Sequence, residues 1–256
     1  MALLPITSYG IRAAVIVNIY RLKAKIKMDY CMDLSDMRTP YKDSRHTFSK
    51  ETLSYKEPIG LFREWFELAS KIPSIREPNA MVLATANKEG RPSARFVLLK
   101  GFGKDGFKFY SNYESRKGKE ITENPHAALT FYWEPLHRQI RVEGSVTRLS
   151  KEESDEYFNS RPRESQISCS VSKQSSVIPN REYLSEERKK FEDMETIPRP
   201  KNWGGFIVKP EVIEFWQGQT NRAHDRIRFS RQEGKTCCPK LSKIGDDGWV
   251  YERLAP

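Results

Sequence analysis

Residues 211–226, EVIEFWQGQTNRAHDR, set Trp216, Arg222, His224 and Arg226 directly behind a strand-like apolar run. Val212, Ile213, Phe215 and Trp216 favour a strand and residues 218–221 a turn, so the polar side chains should project from a strand end. Guanidinium groups offer a fixed fork of donors to an anion, a neutral imidazole exchanges a proton near pH 7, and an indole covers a flat ring. The set suits a planar ring bearing an anion. It equally suits a structural arrangement, with Trp216 in the core, His224 against a carbonyl and Asp225 paired with an arginine, so this segment alone does not choose.

Other cations flank strand ends. In SARFVLLK, residues 93–100, alternation turns Arg95, Val97 and Leu99 to one side and Phe96, Leu98 and Lys100 to the other, so Arg95 and Lys100 need not share one anion. SNYESRKGKE, residues 111–120, brings Arg116, Lys117 and Lys119 to a predicted helix start, where backbone N–H groups reinforce anion binding; a solvated basic face is the alternative. Tyr157, Arg161 and Ser165 recur every four residues and would bring a phenol, a guanidinium and a hydroxyl to one phosphate, with Pro162 interrupting the helix between them. Gln174, Ser175 and Ser176 add small donors in a loop or linker.

The elements that must position these groups are mainly strands. Residues 80–86, 93–100, 106–112, 127–133 and 138–148 alternate or run apolar between turn residues, and 206–208, 212–216, 225–229 and 249–253 continue the pattern. Short gaps imply antiparallel hairpins and a closed sheet or barrel rather than a doubly wound fold. A core-packing helix starts at Pro58 with Ile59, Phe62, Phe66 and Ala69 on one stripe and ends before Pro73, and charged surface helices are expected over 151–161 and 182–194. Residues 1–55 read as a mobile basic arm and 56–256 as the folded domain.

The 256 residues, 38% hydrophobic, can bury a core. Net charge is +10, and Arg12, Arg21, Lys23, Lys25 and Lys27 supply half of it in the first 28 residues, which contain no acid. The rest is modestly basic, as suits phosphorylated small molecules or nucleic acid. Cys31, Cys169, Cys237 and Cys238 lack a metal-ligand spacing, so no metal is expected and free thiols are. The apolar run 13–17 is too short to span a bilayer, which takes about 20 residues. The expected location is the cytosol, with the basic N-terminus leaving organelle import, including mitochondrial, open.

Together RPSARFVLLKGF, SRKGKE, FYWEPLHRQIRVEG, SRPRESQI, QSSVIP, EFWQGQTNRAHDR and the terminal YERLAP closely resemble blocks of the pyridoxine (pyridoxamine) 5′-phosphate oxidase family, over about residues 55–256. The resemblance implies a split β-barrel, an antiparallel FMN-binding fold with surface helices, working as a homodimer with flavin at the interface. It implies FMN contacts at Arg95, Phe96, Val97, Leu98, Tyr110, Ser111, Arg116, Lys117, Gln139, Gln174, Ser175, Trp216 and Arg226. Arg95, Lys117 and Ser175 would suit the flavin phosphate, and Gln139, Gln174 and Trp216 the ring and its polar edge. It implies that Lys100, Tyr157, Arg161 and Ser165 hold the substrate phosphate and that residues 222–224, Arg222, Ala223 and His224, face the pyridine. Arg222 and His224 would be the catalytic pair, His224 the better base. Arg38 and Tyr41 fall where some members place a lid.

Two positions depart from the family pattern. Ala223 replaces a larger aliphatic residue, a loss of about 1–3 kcal/mol if that residue were buried. The loop 232–247 matches no family block and is expected to be a variable surface connection.

The implied activity is oxidation of pyridoxine 5′-phosphate or pyridoxamine 5′-phosphate to pyridoxal 5′-phosphate, oxygen becoming hydrogen peroxide. Two alternatives are a flavin reductase on the same barrel and a nucleic-acid-binding barrel without flavin. The second is disfavoured because the cations are interspersed with Gln, Ser and Trp and half of the excess charge lies in the arm, so no nucleic acid and no membrane partner is expected.

Overall fold

The computed structural model describes residues 37, 41, 48–231 and 241–256. The fold is the unit Tyr41–Pro256. Phe48 and Leu53, upstream of the expected boundary at 55, already pack on the core, Phe48 with its ring 5.0 Å from that of Trp65.

The first helix, α1 (Pro58–Ser70), begins as its sequence requires. Glu57 caps it by accepting from the N–H groups of Ile59 and Gly60 at 2.7 and 2.6 Å, and Pro58 needs no donor in the first turn. Its buried face carries Ile59, Leu61, Phe62, Trp65 and Ala69, and Phe66 packs beside them. Phe62 meets Phe102, Phe107 and Phe131 edge-on, so this helix packs its apolar face on the sheet.

Ten antiparallel strands follow: β1 (Ala80–Ala86), β2 (Pro92–Leu98), β3 (Gly101–Gly103), β4 (Gly106–Asn112), β5 (His126–Trp133), β6 (Arg138–Arg148), β7 (Trp203–Gln217), β8 (Asp225–Arg231), β9 (Ser242–Ile244) and β10 (Trp249–Leu254). Their order is β2-β1-β5-β6-β7-β8-β10-β9, with β4 paired to the first half of β7 and to β3. Helices α2 (Arg116–Glu123), α3 (Lys151–Ser160), α4 (Arg163–Val171) and α5 (Glu182–Lys189) complete a mixed fold of one antiparallel sheet with helices on its surface.

Four departures from expectation occur. The segments 206–208 and 212–216 are one strand, because the register shift at Glu143/Gly144 leaves Glu211 as the extra residue beside Pro210 without ending the ladder. Residues 101–106 are more than a turn, since β3 and β4 form a tight hairpin closed by Gly106 at φ 137°. Within the loop 232–247, β9 pairs with β10; residues 232–240 lie outside the described residues. The helix expected over 151–161 ends at Ser160, and α4 restarts after Pro162, as that proline requires.

Candidate active site

One cavity of about 740 Å³ opens between β2, β4, α2, α3 and α4. Arg95, Phe96, Val97 and Leu98 line it from β2 and Lys100 from just beyond, Tyr110 and Ser111 from the end of β4, and Lys117 from the first turn of α2. Tyr157, Arg161 and Ser165 reach it from α3, the cap residue and α4. The helix break at Pro162 therefore preserves the convergence expected of these three. Gln174 closes the rim.

At one end Lys117 is 8% exposed and its Nζ donates to Gln174 Oε1 at 2.8 Å and Ser111 Oγ at 3.2 Å. No ion pair to this lysine occurs among the described residues. Burial, aided by the charge of Arg95, pushes its ammonium down to about 8 despite the opposing pull of Glu120. A buried cation with neutral partners calls for an anionic ligand, and the helix start beside it reinforces that preference. Ser115 caps α2 with its hydroxyl on Gly118 N, and Ser175 Oγ accepts from Arg116 N at 3.3 Å.

At the other end Tyr110, Tyr157 and Trp203 form a stack, the first two rings 3.9 Å apart. The Arg161 guanidinium lies 4.8 Å over Trp203 and donates to Cys169 Sγ at 3.2 Å. Burial pushes the Tyr110 phenol up to about 12, with Glu153 adding to the effect, so it remains a neutral donor. Trp203 was not read from sequence and Cys169 only as a free thiol; Trp203 lies just ahead of the expected strand 206–208, and neither lies in a motif that marks it for this cavity.

The remaining candidates do not line this cavity. Gln139, Trp216 and Arg226 sit on adjoining strands, Trp216 opposite both others in register. Gln174 is with Lys117, not with Gln139 and Trp216, and Arg116 and Ser175 stand outside the wall. Arg226 is held by Glu214, 2.7 Å from its Nε, and by the carbonyl of Ala255. The turn after β7 carries Arg222 at φ 66°, a conformation that costs a non-glycine residue energy and recurs at functional sites. Buried Asp225 anchors that turn by accepting from Gln219 Nε2, Phe48 N and Arg253, so the structural pairing of Asp225 with an arginine coexists with the exposed functional groups. Ala223 is exposed, so within one chain its small size removes no core contact.

His224 differs from its expected role. Its Nδ1 accepts from Gln219 N at 3.0 Å, so the neutral ring carries its hydrogen on Nε2 and presents a donor rather than a free lone pair. Burial and then the charge of Arg222 lower its pKa, with Asp225 opposing, which favours that neutral ring at pH 7. Tyr41 packs its ring 5.8 Å from His224, 6.3 Å from Trp216 and 4.4 Å from His137, and its carbonyl accepts from Thr220 Oγ1 at 2.9 Å. Arg38, its expected companion, lies outside the described residues.

Residues 72–195 match the family model for pyridoxamine 5′-phosphate oxidase, and 203–256 match the model for the pyridoxine 5′-phosphate oxidase C-terminal dimerisation region. The pyridoxine-5′-phosphate oxidase of Bos taurus is 54% identical over 88% of each chain, and the pyridoxine/pyridoxamine 5′-phosphate oxidase of Bombyx mori is 49% identical over 88% of this chain and 90% of its own. Among solved structures, PhzG of Burkholderia lata, in complex with tetrahydrophenazine-1-carboxylic acid, superposes with a TM-score of 0.73 at 29% identity, covering 83% of this chain and 98% of its own. The chain belongs to the pyridoxine/pyridoxamine 5′-phosphate oxidase family.

Proposed function

We propose that this chain is an FMN-dependent oxidase that converts pyridoxine 5′-phosphate and pyridoxamine 5′-phosphate to pyridoxal 5′-phosphate, with oxygen reduced to hydrogen peroxide. The observation that carries the reading is a cavity lined by four cations, Lys117, Arg95, Lys100 and Arg161, with Lys117 among neutral partners and Arg161 over the ring of Trp203. A phosphorylated cofactor and a phosphorylated substrate fill such a cavity together, whereas one anion leaves some of these cations unused. The donor set fits FMN: Lys117 has no ion-paired carboxylate among the described residues, and Ser111, Gln174 and the start of α2 supply neutral donors and acceptors beside it.

In this reading Arg95, Lys117 and Ser175 serve the flavin phosphate, and residues 96–98 and Tyr110 its remaining body. Lys100, Tyr157, Arg161 and Ser165 hold the substrate phosphate. FMN held there would supply the acceptor for the hydride from C4′ and the route of the electrons to oxygen, and the proton lost from the 4′ hydroxyl or amine would pass to solvent. Arg222 stabilises charge developing at the 4′ substituent, and His224 Nε2 donates a hydrogen bond that orients the pyridine. Tyr41 covers that side and excludes water.

The sheet, curling from β2 through β7 to β4, is read as a split barrel, and the working unit as a homodimer. A second copy supplies the part that one cavity lacks, since Gln139, Trp216, Arg222, His224 and Arg226 stand away from it. The test is the absorption spectrum of the purified protein, before and after pyridoxine 5′-phosphate is added without oxygen. A flavin spectrum that bleaches is expected. A colourless protein that takes up no FMN, or a flavin left oxidised, sinks the reading.

A further inference from the structure

We propose that Glu120 is a positioning residue for the flavin-phosphate end of the cavity, fixing Arg95 by way of Thr85 and Ser93 and Arg116 directly; this rests on reading the cavity as a flavin site. A carboxylate beside an anion site is unexpected, because it repels the ligand it adjoins. Glu120 is nevertheless 6% exposed and wholly engaged. Its Oε2 accepts from the hydroxyls of Thr85 and Ser93, each at 2.5 Å, and lies 3.4 Å from Arg95 Nη2, while Oε1 accepts from Arg116 Nε at 2.9 Å. Burial alone would raise its pKa; the bonds from Ser93, Thr85 and Arg116 overcome that and bring it down to about 2, so it is ionised throughout the working range.

The hydroxyl hydrogens point at Glu120, which turns the lone pairs of the same oxygens toward Arg95. Arg95 Nη1 donates to Thr85 Oγ1 at 2.6 Å and to the carbonyl of Leu83 at 3.1 Å, and Nη2 donates to Ser93 Oγ. With both Nη groups held, the guanidinium plane cannot rotate away from the cavity that it lines. Arg116 is tethered at the opening of α2 by the same carboxylate across one helical turn. Glu120 thus trades direct repulsion of the phosphate for prior ordering of the cations that receive it.

FMN and riboflavin differ only in the phosphate, so their affinities separate this role from general support of the fold. Fluorescence titration of the apoprotein is expected to show a Kd for FMN raised about tenfold or more in Glu120→Gln, with the Kd for riboflavin changed less than about twofold; a tenfold change corresponds to about 1.4 kcal/mol. Unchanged or tighter FMN binding overturns the inference, and so does parallel weakening of both ligands. If Glu120→Gln does not fold, the Thr85→Val/Ser93→Ala double variant, which leaves the carboxylate and removes the relay, is judged by the same two affinities. Wild-type protein with no preference for FMN over riboflavin sinks the flavin reading itself, whereas a wild-type preference retained in the variants sinks the role of Glu120 alone.

Discussion

His224 shows how one hydrogen bond reassigns a residue. Gln219 N–H occupies Nδ1, so the ring offers N–H at Nε2 and acts as a donor. Glutamine can reproduce that donor but cannot serve as a base. His224→Ala is therefore expected to lower kcat about a hundredfold, the range of a lost acid–base or oriented polar group, and His224→Gln to stay within about tenfold of wild type. Equal, large losses in both variants would restore the base. Lys117 gives a second residue-scale prediction, through proton linkage. Its ammonium, near 8 in the free protein, is stabilised by a bound phosphate, so FMN binding above pH 8 takes up a proton. The Kd for FMN should be flat from about pH 7 to 8 and then rise up to about tenfold per unit, and Lys117→Arg, charged throughout, should remove the slope. The phosphate's own second ionisation, near about 6, lies below this window. The convergence of Tyr157, Arg161 and Ser165 on one cavity was legible because they recur every four residues. The hub at Glu120 was not, since Thr85, Ser93 and Arg95 meet it only after strand pairing brings β1 and β2 over α2.

Elements were read best where a local rule determines them. Pro58 behind a capping Glu57 starts α1, and alternation fixes β1, β4 and β6 at their expected limits. Pro210 misled because a proline argues against a central strand only when its partner strand is regular. Here the ladder shifts register opposite it, and Gly144 permits the approach: a Cβ there would lie 1.9 Å from the carbonyl oxygen of Lys209. Nothing in the sequence of β7 alone reports that accommodation on β6. Gly144→Ala should therefore push the two strands apart and destabilise the protein by about 3 kcal/mol, read as a lower urea midpoint with the slope unchanged. A midpoint within error of wild type would mean that the bulge does not depend on this contact. Because Gln139 and Trp216 lie further along the same pair of strands, opposite one another, the variant should also weaken flavin binding.

At the scale of the whole molecule, the proposed function makes the cavity and the turn after β7 two halves of one site. The cavity holds Lys100, Tyr157, Arg161 and Ser165, but neither Arg222 nor His224 lines it. In a C2 dimer an interface pairs one patch with its symmetry-related partner, so the turn of one subunit can complete the cavity of the other at both sites. This reading predicts complementation. Arg161→Ala disables the cavity and is expected to raise KM by about tenfold or more through the lost charged contact to phosphate; His224→Ala disables the turn. After the two impaired proteins are unfolded together and refolded as a mixture, about half of the dimers are mixed, and each of these has one site assembled from two intact halves and one from two damaged halves. At substrate well below KM, where each parent retains about a tenth of wild-type activity or less, the mixture should then reach about a quarter of that of wild type. If cavity and turn of the same chain form the site, every site in the mixture keeps one defect. The activity of the refolded mixture would remain at the level of its parents, and the dimer would have to be explained by stability alone.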